Sequence, residues 1–81
     1  MLRPTAKSVC ALEDYMLKVE FDNGEIRKFD VKPYIQGEWY SELADPVYFD
    51  RVFVNGYTVE WPNEQDLCPD ELYYNSILIM K

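Results

Sequence analysis

The stretch from Tyr57 to Tyr74, YTVEWPNEQDLCPDELYY, decides how the chain is read, because it spells a strand, a sharp stop, an acidic loop and a helix start. Tyr57, Val59 and Trp61 alternate with Thr58 and Glu60, the period of a half-buried strand. Pro62 ends that ladder by removing a backbone donor. Pro69 suits the first position of a helix, Cys68 then stands at the N-cap, and Asp70 and Glu71 suit the positive end of the helix dipole. A thiol is a weaker acceptor than a hydroxyl, so Glu71 is expected to bond back to the Cys68 amide as half of a capping box.

Working outward, Val52-Phe53-Val54 precedes Asn55-Gly56, a two-residue hairpin signal. It predicts that Val52 faces Val59 and Val54 faces Tyr57, with Phe53, Thr58 and Glu60 on the other side. A first strand is read over Lys7–Glu13 and a second over Tyr15–Phe21, where Tyr15, Leu17, Val19 and Phe21 alternate with polar residues. Asp22-Asn23-Gly24 turns the chain into a third strand, Glu25–Val31. A two-residue turn there would set Leu17 against Asp30, whereas a bulged turn with left-handed Gly24 sets Leu17 against Phe29, Tyr15 against Val31 and Val19 beside the Arg27 stem. Apolar phase selects the bulged register.

Pro33 to Gln36 is expected to form one helical turn, and Ser41 to Arg51 short helical pieces with Asp45 as N-cap before Pro46. Leu43, Val47 and Phe49 are the expected core contacts of that segment. Together these signals predict one compact α+β domain over residues 1–81. Its mainly antiparallel sheet of about five strands, built from two hairpins, packs against the short central helices and a C-terminal helix.

Composition narrows the function more than it names it. Eighty-one residues leave room for one core, and 48% apolar and 16% aromatic content supplies the rings to fill it. The longest apolar run, Ile77–Met80, is far short of a bilayer span, and the start has no signal-peptide stretch, so a cytoplasmic location is expected. With no histidine, the usual general base near neutral pH and the commonest zinc ligand are missing. Cys10 and Cys68 have neither zinc nor disulfide-framework spacing and read as reduced, partly buried thiols. The formal charge of −7 is concentrated late in the chain. Such a field repels nucleic acid and anionic lipid, and either attracts a basic partner or keeps a small protein soluble.

Several ordered motifs resemble a known pattern. They are Phe21-Asp22-Asn23-Gly24-Glu25, Phe29-Asp30 with Pro33-Tyr34, Leu43-Ala44-Asp45-Pro46-Val47-Tyr48-Phe49, Trp61-Pro62-Asn63, and Asp66-Leu67-Cys68-Pro69-Asp70. The set resembles the small bacterial family known as domain of unknown function 2442, with Cys68 where the family usually has serine. The resemblance implies a compact α+β fold, in some members fused to a DNA-binding helix-turn-helix. It also implies a gene neighbour of small size, as in toxin–antitoxin or regulator–effector pairs, and assigns no catalytic residue.

The candidate site is an interaction surface with no cofactor and no metal: Trp39, Tyr40, Glu60, Glu64, Asp66 and Asp70. Trp39 and Tyr40 follow Gly37 and read as exposed contact rings, while Trp61 reads as a wall of the core. The acids suit a basic protein partner; alternatively Glu64, Asp66 and neighbours serve a metal-assisted or carboxylate enzyme, or Asp66 only fixes its loop. Ile77–Met80 packs as the last helical turn or meets a partner, and a free sheet edge would admit a homodimer acting with a DNA-binding partner. Lys7 and Arg3 are placed to guard one edge. The expected function is an acidic protein-interaction module with no direct nucleic-acid or membrane contact.

Overall fold

The computed structural model describes residues 4–56 and 58–80; Tyr57, and with it the expected Val54–Tyr57 pair, lies outside the described residues, as does Arg3. Among the described residues there are six strands: β1 (Ala6–Ala11), β2 (Met16–Phe21), β3 (Ile26–Asp30), β4 (Phe53–Val54), β5 (Val59–Glu60) and β6 (Ile77–Met80). Three short α-helices, α1 (Gly37–Tyr40), α2 (Pro46–Phe49) and α3 (Pro69–Tyr74), join them with 3₁₀ turns at Lys32–Tyr34 and Ser41–Ala44. The fold is α+β and mostly sheet. Its strands divide into a four-stranded antiparallel sheet, in the order β1-β2-β3-β6, and a separate β4–β5 pair.

The first hairpin takes the bulged register. Leu17 faces Phe29 and Val19 faces Arg27, Gly24 adopts φ +88°, and the Val31 amide donates to the Tyr15 carbonyl at 3.0 Å. Leu17, Val19, Phe21, Phe29 and Val31 are thereby buried together, with Lys18 and Lys28 exposed on the opposite face. The strand ends differ from expectation. Glu13–Tyr15 form a 3₁₀ turn between β1 and β2, in which Asp14 and Tyr15 both have positive φ. Tyr15 consequently leaves the strand and donates its hydroxyl to the Ala44 carbonyl.

The second hairpin is shifted by two residues from the predicted pairing: Val54 faces Val59 and Phe53 faces Glu60. The predicted turn needs positive φ at both central residues, and of Asn55 and Gly56 only the glycine has it. Asn55 instead closes a wider turn with its side chain, its Oδ1 accepting from the Thr58 amide at 3.1 Å. A shift of two keeps every side chain on its own face. Val59 and Trp61 stay buried, but Thr58, expected outside, is buried as well and donates its hydroxyl to the Leu67 carbonyl at 2.8 Å.

Asp45 caps α2 as expected, accepting from the Val47 amide at 3.0 Å. Leu43 and Phe49 reach the core, whereas Val47 is 74% exposed, because its position one residue after Pro46 turns it away from the stripe that Phe49 occupies. Cys68 stands at the N-cap of α3 without a side-chain bond, and Glu71 meets the hydroxyl of Tyr34 at 3.0 Å, not the Cys68 amide. Both cysteines are free thiols and are exposed rather than partly buried. Ile77–Met80 forms neither a last helical turn nor core: it is β6, antiparallel to β3 and exposed throughout.

A nearly buried charge network holds α3 and β6 to the sheet. Arg27 Nε donates to Glu25 Oε1 at 2.8 Å, the Tyr73 hydroxyl donates to the same oxygen at 2.8 Å, and the Arg27 guanidinium lies 4.3 Å from the Tyr73 ring centre. Arg27 Nη1 also reaches the Ser76 carbonyl at 3.2 Å, just before β6. The Arg27 hydrogen bond, then that of Tyr73, holds the Glu25 carboxyl below the usual carboxylate range. A pKa lowered in the folded state gives stability that is present above the ordinary Glu pKa and lost as pH falls through the folded value. Urea midpoints measured from about pH 7 down to about pH 3 should therefore show a shallower acid decline for Glu25→Gln than for wild type, and parallel declines would contradict this.

Candidate functional site

Trp61 builds the acidic loop. Its side chain is fully buried, its indole N–H donates to the Phe49 carbonyl at 2.9 Å, and its ring stacks obliquely on Phe49 at 5.7 Å. Its backbone then closes a turn: the Glu64 amide donates to the Trp61 carbonyl at 2.9 Å, and the Trp61 amide donates to the Gln65 carbonyl at 2.8 Å. Pro62 occupies the second turn position, which its fixed φ favours. Glu64 takes φ +74°, the place where a bulged hairpin ordinarily has glycine. Pro62 therefore turns the ladder instead of ending it, because Glu60 and Asp66 bridge beyond the turn.

Buried polar groups brace this loop from beneath. Gln65 is fully buried; its Oε1 accepts from the Tyr48 hydroxyl at 2.7 Å and its Nε2 donates to Glu42 at 3.0 Å. Asn63 Nδ2 donates to both Glu42 carboxylate oxygens, at 2.9 and 2.8 Å, and the Asn63 amide donates to the Tyr48 hydroxyl at 2.8 Å. A buried amide with its partners in place keeps one loop conformation, since losing a partner would leave a desolvated polar group.

The structure brings four of the expected site residues together. Glu60 and Asp66 are bridge partners, Glu64 lies between them at the turn, and the Tyr40 hydroxyl donates to the Asp66 carbonyl at 2.9 Å. Tyr40 is half-buried against the core rather than exposed. Burial pushes its phenol pKa up, with the Asp66 and Glu71 carboxylates adding to the rise. Glu60 is half-buried and accepts from the Asn55 side-chain amide at 2.9 Å. Glu64 and Asp66 are exposed, and Asp70 is exposed in the first turn of α3. Trp39 belongs to α1, and its side chain lies outside what the structure describes.

Glu42, Tyr48 and Gln65 are the members of this site that sequence reasoning missed. Gln65 stands between charged neighbours in an irregular segment, so no periodicity marks it as inward. The available signal was the apolar phase of Trp61 and Leu67 on either side, which a fold-back at Pro62 would extend to Gln65. Among the described residues no three Asp, Glu or Cys side chains converge closely enough to hold a metal ion. A cavity of about 350 Å³ opens elsewhere, between the Leu12–Tyr15 turn and α2. Neither Glu64 nor Asp66 lines it, so the carboxylates considered for an enzymatic role face no enclosed space there.

Fold and site together define a small sheet-rich α+β domain with a braced acidic rim. The family model described as "Protein of unknown function (DUF2442)" matches residues 6–77, and the chain belongs to that family. No curated protein and no solved structure matches it significantly. No described helix is long and apolar enough to cross a membrane.

The left-handed Glu64 places a conformational cost on the rim. An L-residue with a side chain there costs about 1 kcal/mol or more relative to its relaxed state, and glycine avoids it. Glu64→Gly should raise the urea midpoint, with a gain of up to about 1 kcal/mol after the extra unfolded-state freedom of glycine is subtracted. A loss of stability of similar size would show that Glu64 is held there by favourable contacts.

Proposed function

We propose that this domain is an acidic protein-interaction module that docks a basic partner protein through the rim of Glu60, Glu64 and Asp66, continued by Asp70. The observation that supports this reading is where the charges and their partners lie. The ion pairs between described residues, Lys7–Glu20, Arg27–Glu25, Lys32–Asp14 and Lys32–Asp30, belong to the four-stranded sheet and its turns. Residues 41–81 hold eight Asp or Glu against two Lys or Arg, and neither Glu64 nor Asp66 has a cation at ion-pair distance among the described residues. The two exposed carboxylates stand on a loop whose backbone and buried amide are fixed, so a partner would meet them without ordering them first.

A basic chain approaching such a surface is steered by its field and held by charge-assisted hydrogen bonds. The partner fits an antitoxin-like or regulatory pair, in which two small proteins recognise one another. A strained non-glycine residue at the tip agrees with selection for something other than stability.

Affinity capture from native lysate at low and high salt tests this. A partner of high isoelectric point should be retained by wild type at low salt, released as ionic strength rises, and lost with the Glu64→Lys, Asp66→Lys double variant. Raising salt from about 0.05 to about 0.3 M should weaken the complex at least tenfold. A complex indifferent both to salt and to the double substitution would contradict the proposal.

A further inference from the structure

The two outer strands of the four-stranded sheet are treated differently. β1 carries Lys7, whose side chain is 66% exposed and reaches Glu20 at 3.8 Å, and exposed polar residues follow at Ser8 and Cys10. A charged side chain on an edge strand discourages pairing with another chain. β6 has no such guard. It pairs with β3 along one side, and its four residues are all large and apolar: Ile77 is 69% exposed and Met80 61%. Tyr74, just before it, is 65% exposed. From Leu72 to Met80 the sequence has no charged residue, in a chain that is 28% charged.

The register to β3 shifts between Ile26 and Arg27, with Met80 facing Ile26 and Leu78 facing Arg27, so Ile79 is the extra residue of a bulge. That bulge accounts for exposure on both faces, since neighbouring side chains no longer alternate strictly between core and solvent. The strand is nonetheless anchored from behind, because Arg27 bonds the Ser76 carbonyl and Ser76 donates its hydroxyl to the Tyr73 carbonyl at 2.6 Å. It is a fixed, uncharged, apolar edge with main-chain groups facing outward.

We infer that β6 pairs antiparallel with β6 of a second copy of this chain, joining two four-stranded sheets into one of eight strands about a two-fold axis. Charge selects this occupant. A basic strand would find no carboxylate between Leu72 and Met80, and an acidic one would be opposed by the chain's formal charge of −7. An uncharged apolar strand fits, and β6 itself is one. Two-fold antiparallel pairing sets Ile77 against Met80 and Leu78 against Ile79 of the other copy, with no charge facing another. Five side chains exposed by about half or more offer on the order of 500 Å² of surface per copy, so a pair would bury at most on the order of 1,000 Å², the lower bound for a specific interface. This surface is separate from the acidic rim. A dimer built this way would present two rims.

Sedimentation equilibrium of the purified full chain, from about 1 to about 500 µM, tests the inference. Wild type should reach twice the chain mass, with amide protection in Ile77–Met80 rising with concentration. Ile77→Lys, a change at an exposed position, should stay folded by circular dichroism and weaken self-association at least about tenfold. Val47→Lys, equally exposed but away from the edge, should leave the dimer unchanged. A wild type monomeric throughout, or a dimer that survives Ile77→Lys, would overturn the inference. Either result leaves the capture experiment on Glu64 and Asp66 to decide the rim separately.

Discussion

The burial of Trp61 is the constraint on which the rest of the structure depends. The small β4–β5 pair is too short to hold itself together; β4 lies against β1, and the buried ring that follows β5 fastens the pair to α2. Trp61 is fully buried, packs on Phe49 of α2, and Phe49 in turn meets Tyr15 edge-on at 5.3 Å, at the turn between β1 and β2. The indole N–H and the backbone of the same residue fasten α2 and the returning loop. Three elements remote in sequence therefore share one anchor, and the carboxylates of the rim inherit their positions from it.

At the other end of the sheet a polar device does the corresponding work. Phe21 and Tyr73 meet edge-on at 5.0 Å, and the Tyr73 hydroxyl completes the Glu25–Arg27 pair. A carboxylate this enclosed is tolerable only with both donors present, since removing one partner of a buried pair costs more than the pair contributes. The arrangement ties α3 and β6 to β3 with directional bonds, and an apolar contact alone would let β6 slide. The large sheet thus encloses the Glu25–Arg27 pair, while Glu64 and Asp66 are exposed with no cation at ion-pair distance among the described residues.

Much of this was legible where two independent patterns had to agree. In the first hairpin the apolar phases of Tyr15–Phe21 and Glu25–Val31 match in only one register, and Gly24 supplies the backbone conformation that register needs. The second hairpin had a strong turn signal and short strands, so the signal alone set the predicted pairing. Asn55 used its side chain to close a wider turn, which no propensity for Asn-Gly reports. Faces survived because the slip was two residues. Ile77–Met80 was ambiguous for a different reason: four apolar residues are too few to show a period, and β pairing with a strand fifty residues away is a tertiary choice. The exposed acids of the site were readable from composition. Gln65, Glu42 and Tyr48 were not, because a buried polar network leaves no hydrophobic pattern in the chain.

If one buried ring positions the rim, disturbing its hydrogen bond should loosen the rim before it unfolds the domain. Amide hydrogen exchange of Trp61→Phe, compared with wild type, is the direct measurement, because phenylalanine keeps an aromatic ring in place but removes the donor to the Phe49 carbonyl. Exchange should accelerate at position 61, Glu64 and Leu67, whose amides donate to the Gln65, Trp61 and Val59 carbonyls, while Leu17, Val19 and Phe29 in the large sheet keep most of their protection. Unchanged exchange in the loop, or equal acceleration everywhere, would contradict the role given to Trp61.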